Sequence, residues 1–241
     1  MIELIHLSKK FGDLIAVNDV TLTIPRGEFF AMLGPNAAGK TTTLKLLAGL
    51  MKPTAGNARV CGFDLQTQPL EARRCIAYVP DFPFLYDKLS PWEFFRFTGQ
   101  LFQVPDARIE TSAQELIARF HLAEFVNLPI ESLSHGTRQR VAIVSALLHD
   151  PEVFVIDEPM VGLDPQHARV VKDVFKERSR AGVTLLVSTH QLEIAEEMAD
   201  RIGIIHGGKL VAVGTRDELR RQSGSSGQLE EIFLTLTANG K

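Results

Sequence analysis

The eight residues Gly34-Pro35-Asn36-Ala37-Ala38-Gly39-Lys40-Thr41 limit the possible folds of this chain more than any other feature. They fit the pattern G-x-x-x-x-G-K-[ST], which works only where a strand delivers the backbone to a tight loop and a helix closes it. Both neighbours are present in the sequence. Phe29-Phe30-Ala31-Met32-Leu33 is a continuous apolar run of strand length, and the segment from Thr41 to Leu50 has helical spacing, with Leu44, Leu47 and Leu50 expected on one face. In such a loop successive backbone N–H groups converge on phosphate oxygens and the helix N-terminus adds its positive end. Lys40 is placed to neutralise β- and γ-phosphate oxygens, and the Thr41 hydroxyl to ligate Mg2+. A bound nucleoside triphosphate is the expectation.

Two more apolar runs, Val153-Phe154-Val155-Ile156 and Val183-Thr184-Leu185-Leu186-Val187, each end in polar residues. Parallel strands covered on both faces read this way, with their chemistry at the carboxyl ends. The first run ends in Asp157-Glu158, the second in Ser188-Thr189-His190. A phosphate-bound cation needs an acidic partner and an attacking water needs an acceptor that orients it, so Asp157 suits the first role and Glu158 the second. Residues Ile2 to Glu28 alternate in polarity and break at Phe11-Gly12-Asp13 and Pro25-Arg26-Gly27, the pattern of an antiparallel start. Pro91 to Leu148 reads as helical, with Ser90-Pro91 as N-cap and first-turn pair, and forms an insertion into the α/β core. After Gly214 come a short flexible linker, Ser223-Gly224-Ser225-Ser226-Gly227, and a helical pattern from Gln228 to Leu236.

Composition excludes several classes. The longest stretch without a charged residue, Ala181 to Leu192, is well short of the roughly 20 apolar residues needed to cross a bilayer. No basic segment followed by an apolar run marks the N-terminus as a secretory signal, so a cytoplasmic location is expected. The net charge of −3 and a pI near 6.2 lack the basic footprint of nucleic-acid binding, and no nucleic-acid partner is expected. Cys61 and Cys75 have no His or Cys neighbour at metal spacing and read as two reduced thiols rather than a zinc site or disulfide framework.

The family is indicated by Leu133-Ser134-His135-Gly136-Thr137-Arg138-Gln139-Arg140 ahead of Val141-Ala142-Ile143-Val144, about 20 residues before the acidic pair. A Ser N-cap opening an amphipathic helix also accounts for Ser134. Taken with the phosphate loop and Asp157-Glu158, however, the segment is similar to the ABC signature, and over roughly residues 2–215 the chain resembles the nucleotide-binding subunits of ABC transporters. The resemblance implies a single ABC ATPase domain over 1–241: a P-loop NTPase (RecA-like) core, an N-terminal antiparallel β subdomain, a helical subdomain at about 89–150 and a tail at about 215–241. It implies ATP and Mg2+ as cofactors, with Gly34, Pro35, Asn36, Ala37, Ala38, Gly39, Lys40, Thr41 and Thr42 around the phosphates. Phe11 stands where the family stacks an aromatic on adenine, although a Phe beside Gly12 also reads as core. Gly162-Leu163-Asp164 resembles the D-loop and His190 the switch histidine at the γ-phosphate. Thr41, Asp157 and Asp81 are the implied metal residues.

The resemblance further implies a head-to-tail pair of nucleotide-binding subunits, self or sister, in which Ser134 and Gly136 of one meet the phosphate held by Lys40 of the other. Glu158 and His190 act in hydrolysis, and the pair drives a transmembrane permease subunit that holds the chain peripherally on the inner face of the cell membrane. The aromatic stretch Phe82, Phe84, Leu85, Tyr86 and Trp92 reads either as the docking surface for that permease or as core of the insertion. The ending Leu229 to Thr237 resembles export-type, ABC-2-like bacterial systems. A soluble ABC-type ATPase acting on nucleic acid or ribosomes is the competing reading, disfavoured by the single cassette and acidic pI. Four positions depart from the family: Asp81 replaces Gln, His135 and Thr137 replace Gly and Gln, and Ala37 replaces Gly. If position 37 requires a positive φ, the change costs on the order of 1 kcal/mol.

Overall fold

The computed structural model describes residues 1–224 and 227–238. Strands β1 (Ile2–Phe11) and β2 (Leu14–Ile24) form the expected antiparallel start, joined at Gly12-Asp13. β3 (Phe29–Leu33) delivers the chain to the phosphate loop and α1 (Lys40–Leu47). Next come β4 (Ala55–Val60), β5 (Phe63–Asp64), α2 (Pro69–Arg74) and β6 (Ile76–Val79). The helical insertion holds α3 (Pro91–Leu101), α4 (Asp106–Arg119), a 3-10 turn at Ile130–Ser132 and α5 (His135–Leu147). β7 (Val153–Asp157), α6 (Pro165–Arg180), β8 (Thr184–Thr189), α7 (Leu192–Met198), β9 (Arg201–His206) and β10 (Lys209–Gly214) return to the core, and α8 (Arg216–Ser223) and α9 (Leu229–Ala238) follow.

Two sheets organise these elements. The smaller, in the order β2-β1-β4-β5, is antiparallel, and the larger runs β10-β9-β3-β8-β7-β6. From β9 to β6 the larger sheet is parallel, with β10 added antiparallel at its edge. Every residue of β3, β7 and β8 is buried, which explains why their sequences lack polar–apolar alternation and carry polar residues only at the strand ends, at Thr184, Asp157, Ser188 and Thr189. With β3 between β8 and β9, the carboxyl ends of β3, β7 and β8 lie side by side, and this is where a parallel sheet presents its chemistry.

Local chemistry accounts for the helix boundaries. Ser90 accepts from the Glu93 N–H and the Glu93 carboxylate accepts from the Ser90 N–H, a capping box that starts α3 at Pro91. α1 ends earlier than its spacing suggests. Gly49 takes φ +67°, its N–H donates to Leu46 O, and the Leu50 N–H donates to Lys45 O, the pair of bonds that closes a Schellman cap. Leu44 and Leu47 are buried as expected, but Leu50 lies beyond the cap and is exposed, so it leaves the expected face. β8 begins one residue later than the apolar run and extends to Thr189. Of the linker between α8 and α9, Ser225 and Ser226 lie outside the described residues. No helix among the described residues is long and apolar enough to cross a membrane.

Candidate active site

The phosphate loop leaves the middle of the large sheet, where the Gly34 N–H donates to Thr189 O at 3.3 Å. Gly39 has φ +106°, and a Cβ there would lie 2.4 Å from the Ala16 carbonyl oxygen, so only glycine lets β2 and the loop approach this closely. Ala37 takes φ +62°, so the condition set by the sequence is met and this departure from glycine carries left-handed strain. Lys40 is buried, and its Nζ donates to Gly34 O at 2.7 Å and Pro35 O at 3.1 Å. The same ammonium lies 3.6 Å from Glu158 Oε1, which joins the loop to the end of β7.

A cleft of about 450 Å3 opens here, within the range of small-ligand sites. Asn36, Ala37, Ala38, Gly39, Lys40, Thr41 and Thr42 line one wall, Asp81 and Glu158 another, and Phe11 the mouth. Phe11 is 44% exposed and borders the cleft, so it is not packed as core, and Lys9 Nζ lies over its ring at 5.1 Å from the centre. Leu14, Ile15, Ala16, Gly207 and Gly208 complete the lining. Sequence reasoning missed these five. The Gly-Gly pair in the β9–β10 turn was the available signal for two of them, while Leu14 to Ala16 read as ordinary strand residues.

Asp157 and Glu158 differ sharply in setting. Asp157 is fully enclosed at 1% exposure; its Oδ1 accepts from Ser188 Oγ, and its Oδ2 is buried with no hydrogen-bond partner. A buried carboxylate oxygen without a donor carries a large desolvation cost, and a cation beside it removes that cost. Glu158 takes φ +48°, a costly backbone state for a non-glycine residue, held by its N–H donating to Ser188 O at 3.1 Å. The turn aims its carboxylate at the cleft, where Oε1 is 2.9 Å from His190 Nδ1. Asp81 enters the same cleft, and burial first, then the charges of Asp157 and Glu158, push its carboxyl above the ordinary range. Asp81 and Glu158 thus share the cleft with Lys40, close enough to the enclosed Asp157 for its charge to act on Asp81. A polyphosphate would be repelled here unless a divalent cation came with it, so the donor set of Thr41, Asp157 and Asp81 fits Mg2+.

The structure does not bring Ser134 or Gly136 into this cleft. Ser134 is exposed and caps α5, its Oγ accepting from the Thr137 N–H at 3.2 Å. The place of Ser134 fits both readings: a helix cap in this chain, its Oγ also 2.9 Å from Thr137 Oγ1, and an exposed residue that another molecule can reach. Gly136 packs against the turn after Glu158, and a Cβ there would lie 2.5 Å from Gly162 O. His135 lies between that turn and the Phe82 ring, with ring centres 5.8 Å apart. The aromatic stretch divides: Leu85 and Trp92 pack on the core, whereas Phe82, Phe84 and Tyr86 are exposed.

Comparison with known proteins places this geometry. The family described as "ABC transporter" matches residues 17–161. The Nod factor export ATP-binding protein I of Cupriavidus pinatubonensis is 36% identical over 219 residues, covering 91% of this chain and 67% of that protein. The probable multidrug ABC transporter ATP-binding protein YbhF of Escherichia coli is 35% identical over 98% of this chain, which spans only 41% of YbhF. A solved ATP-binding subunit of an ABC transporter superposes with a TM-score of 0.93 at 35% identity, covering 98% of this chain and 99% of that one. A dimeric ATP-binding cassette in a post-hydrolysis state, bound to ADP and Pi, gives 0.82 at 26% identity, covering 89% of this chain and 98% of that one.

Proposed function

Because this chain belongs to the ABC transporter family and is one of its ATP-binding, ATP-hydrolysing subunits, we propose that Lys40, Asp157, Glu158 and His190 carry the hydrolysis and that a second cassette supplies Ser134 and Gly136 to the same nucleotide. The observation that carries the assignment is the single cleft in which the phosphate loop, Asp81 and Glu158 face one another, with His190 and Lys40 both on Glu158 Oε1. Backbone N–H groups of the loop and the N-terminus of α1 hold the phosphates. Lys40 exchanges carbonyl partners for phosphate oxygens. Glu158 accepts a hydrogen bond from the attacking water and orients it in line with the γ-phosphorus, and His190 fixes the Glu158 carboxylate through Oε1. Mg2+, held by Thr41 and Asp157 with Asp81 beside them, would neutralise charge on the β- and γ-phosphate oxygens.

Exposure of Ser134 away from its own cleft supports its use by a partner cassette in a head-to-tail pair. Phe82, Phe84 and Tyr86 form the docking face for a permease subunit that holds the chain at the inner surface of the cell membrane. The names of the Nod factor export and multidrug relatives support outward transport. The solution mass of purified Glu158→Gln with and without Mg-ATP tests the assignment. Loss of the water-orienting carboxylate should trap an ATP-loaded dimer, and Lys40→Ala or Ser134→Arg should abolish it. ATP binding with a mass that stays monomeric would overturn the shared-site reading.

A further inference from the structure

At the end of the large sheet opposite the nucleotide cleft, three residues from separate elements converge. Cys61 sits in the β4–β5 turn, Cys75 caps α2 just before β6, and Glu152 immediately precedes β7. Their ligand atoms, two Sγ and one carboxylate oxygen, all lie within 4.8 Å of one another. Fourteen positions between the cysteines and the distance in sequence to Glu152 hide this in the sequence. Parallel pairing of Ile76 with Val153 produces it, by setting Cys75 and Glu152 side by side.

The cluster is held rigidly. The Val153 N–H donates to Cys75 O at 2.9 Å, the Thr184 N–H to Glu152 O at 2.9 Å, and the Cys61 N–H to Met1 O at 2.8 Å. Cys61 also occupies φ +55°, a turn position that glycine or asparagine fills at lower cost, and strain of this kind collects at sites with a use for the side chain. Both thiols are free and half-buried. Arg26 approaches Glu152 at 3.6 Å, which balances the net single negative charge that two thiolates, one carboxylate and a divalent ion would leave.

We propose that Cys61, Cys75 and Glu152 form a site for a thiophilic divalent cation such as Zn2+, which clamps the β4–β5 hairpin to the starts of β6 and β7. Metal–sulfur bonds of about 2.3 Å in a tetrahedron set two sulfurs roughly 3.8 Å apart, inside the observed limit. Mg2+ and Ca2+ are excluded as occupants because they take six or more oxygen donors. The fourth position is left to water. A free thiol titrates at about 8.5, so both thiols carry protons at neutral pH and each bound ion must release two. Affinity therefore climbs about a hundredfold per pH unit near neutrality.

The test is titration of the reduced, purified chain with Cd2+ alone, followed by thiolate-to-cadmium charge-transfer absorption and by proton release in weak buffer. A signal that saturates at one ion per chain with two protons released, is displaced by Zn2+, disappears in Cys61→Ser and in Cys75→Ser, and weakens at least tenfold in Glu152→Gln supports the site. Circular dichroism and ATP binding check that each variant is folded. The proposal is overturned by absence of a saturable signal in the folded wild type, by a signal that survives in the double serine variant, or by one ion per two chains. It is equally overturned if the reduced thiols take up no ion and close to a disulfide in air.

Discussion

Ser188→Ala probes the bond on which the acidic end of β7 rests. Ser188 is fully buried; its Oγ donates to Asp157 Oδ1 and lies 3.3 Å from the Glu158 N–H, which also donates to Ser188 O at 3.1 Å. Glu158 thus keeps a backbone acceptor when the hydroxyl is removed, but Asp157 does not keep a donor. Its other oxygen has no hydrogen-bond partner, so the variant encloses a carboxylate with neither oxygen satisfied. A buried hydrogen bond to a charged group contributes about 1.5–3 kcal/mol. In a domain of this size each kcal/mol moves the unfolding midpoint by about 2–4 °C, so the expected fall is about 3–12 °C. Urea unfolding and calorimetry without nucleotide measure it. Mg-ATP should recover part of the loss in Ser188→Ala, because Asp157 still offers both oxygens to a cation, whereas Asp157→Asn should lose most Mg-dependent stabilisation. A change below about 0.5 kcal/mol in the nucleotide-free variant would refute the reasoning, since it would mean that Asp157 is solvated and needs no donor.

Burial pushes His149, stacked on Phe102 with ring centres 3.8 Å apart, below the ordinary histidine value of 6.5. Its contribution is therefore fully present above pH 6.5 and lost as pH falls through the folded-state value. His149→Phe keeps the stack and removes the titration, so its unfolding free energy relative to wild type should improve between pH 7.5 and pH 5; a pH-independent difference would sink the assignment. Ala37→Val places a β-branched side chain at φ +62° and should cost more than about 1 kcal/mol in urea unfolding and weaken ATP binding measured by calorimetry. Gly136→Ala would put a Cβ 2.5 Å from Gly162 O, outside the cleft. The expected outcome is at least a tenfold loss of ATPase turnover with ATP affinity within about threefold, on the scale of about 1.4 kcal/mol per tenfold, and a loss of both together would count against a role in the partner's site.

Much of this protein follows from local pattern. A buried strand feeding G-x-x-x-x-G-K-T, and two further apolar strands closing in Asp157-Glu158 and His190, announce a parallel sheet with chemistry at its carboxyl ends, because a strand covered on both faces has no solvent side for alternating polar residues, and the buried Asp157, Ser188 and Thr189 gather at the carboxyl ends of β7 and β8. Ser90 and Ser134 mark helix starts because a cap is settled by residues three apart. Tertiary structure decided the rest. β4 is too polar and β5 too short to read alone, and they exist through pairing with β1 and with each other. Gly207, Gly208, Ile15 and Ala16 reach the cleft because the β9–β10 turn and β2 meet there, with the Asn18 N–H donating to Gly208 O and the Gly208 N–H to Ala38 O. The left-handed turns at Ala37 and Glu158, the orphaned oxygen of Asp157 and the meeting of Cys61, Cys75 and Glu152 likewise arise from which strands lie side by side. Residue spacing along a chain specifies periodicity and caps, but strand order is settled by long-range pairing and burial, and that order determines which distant side chains share one site.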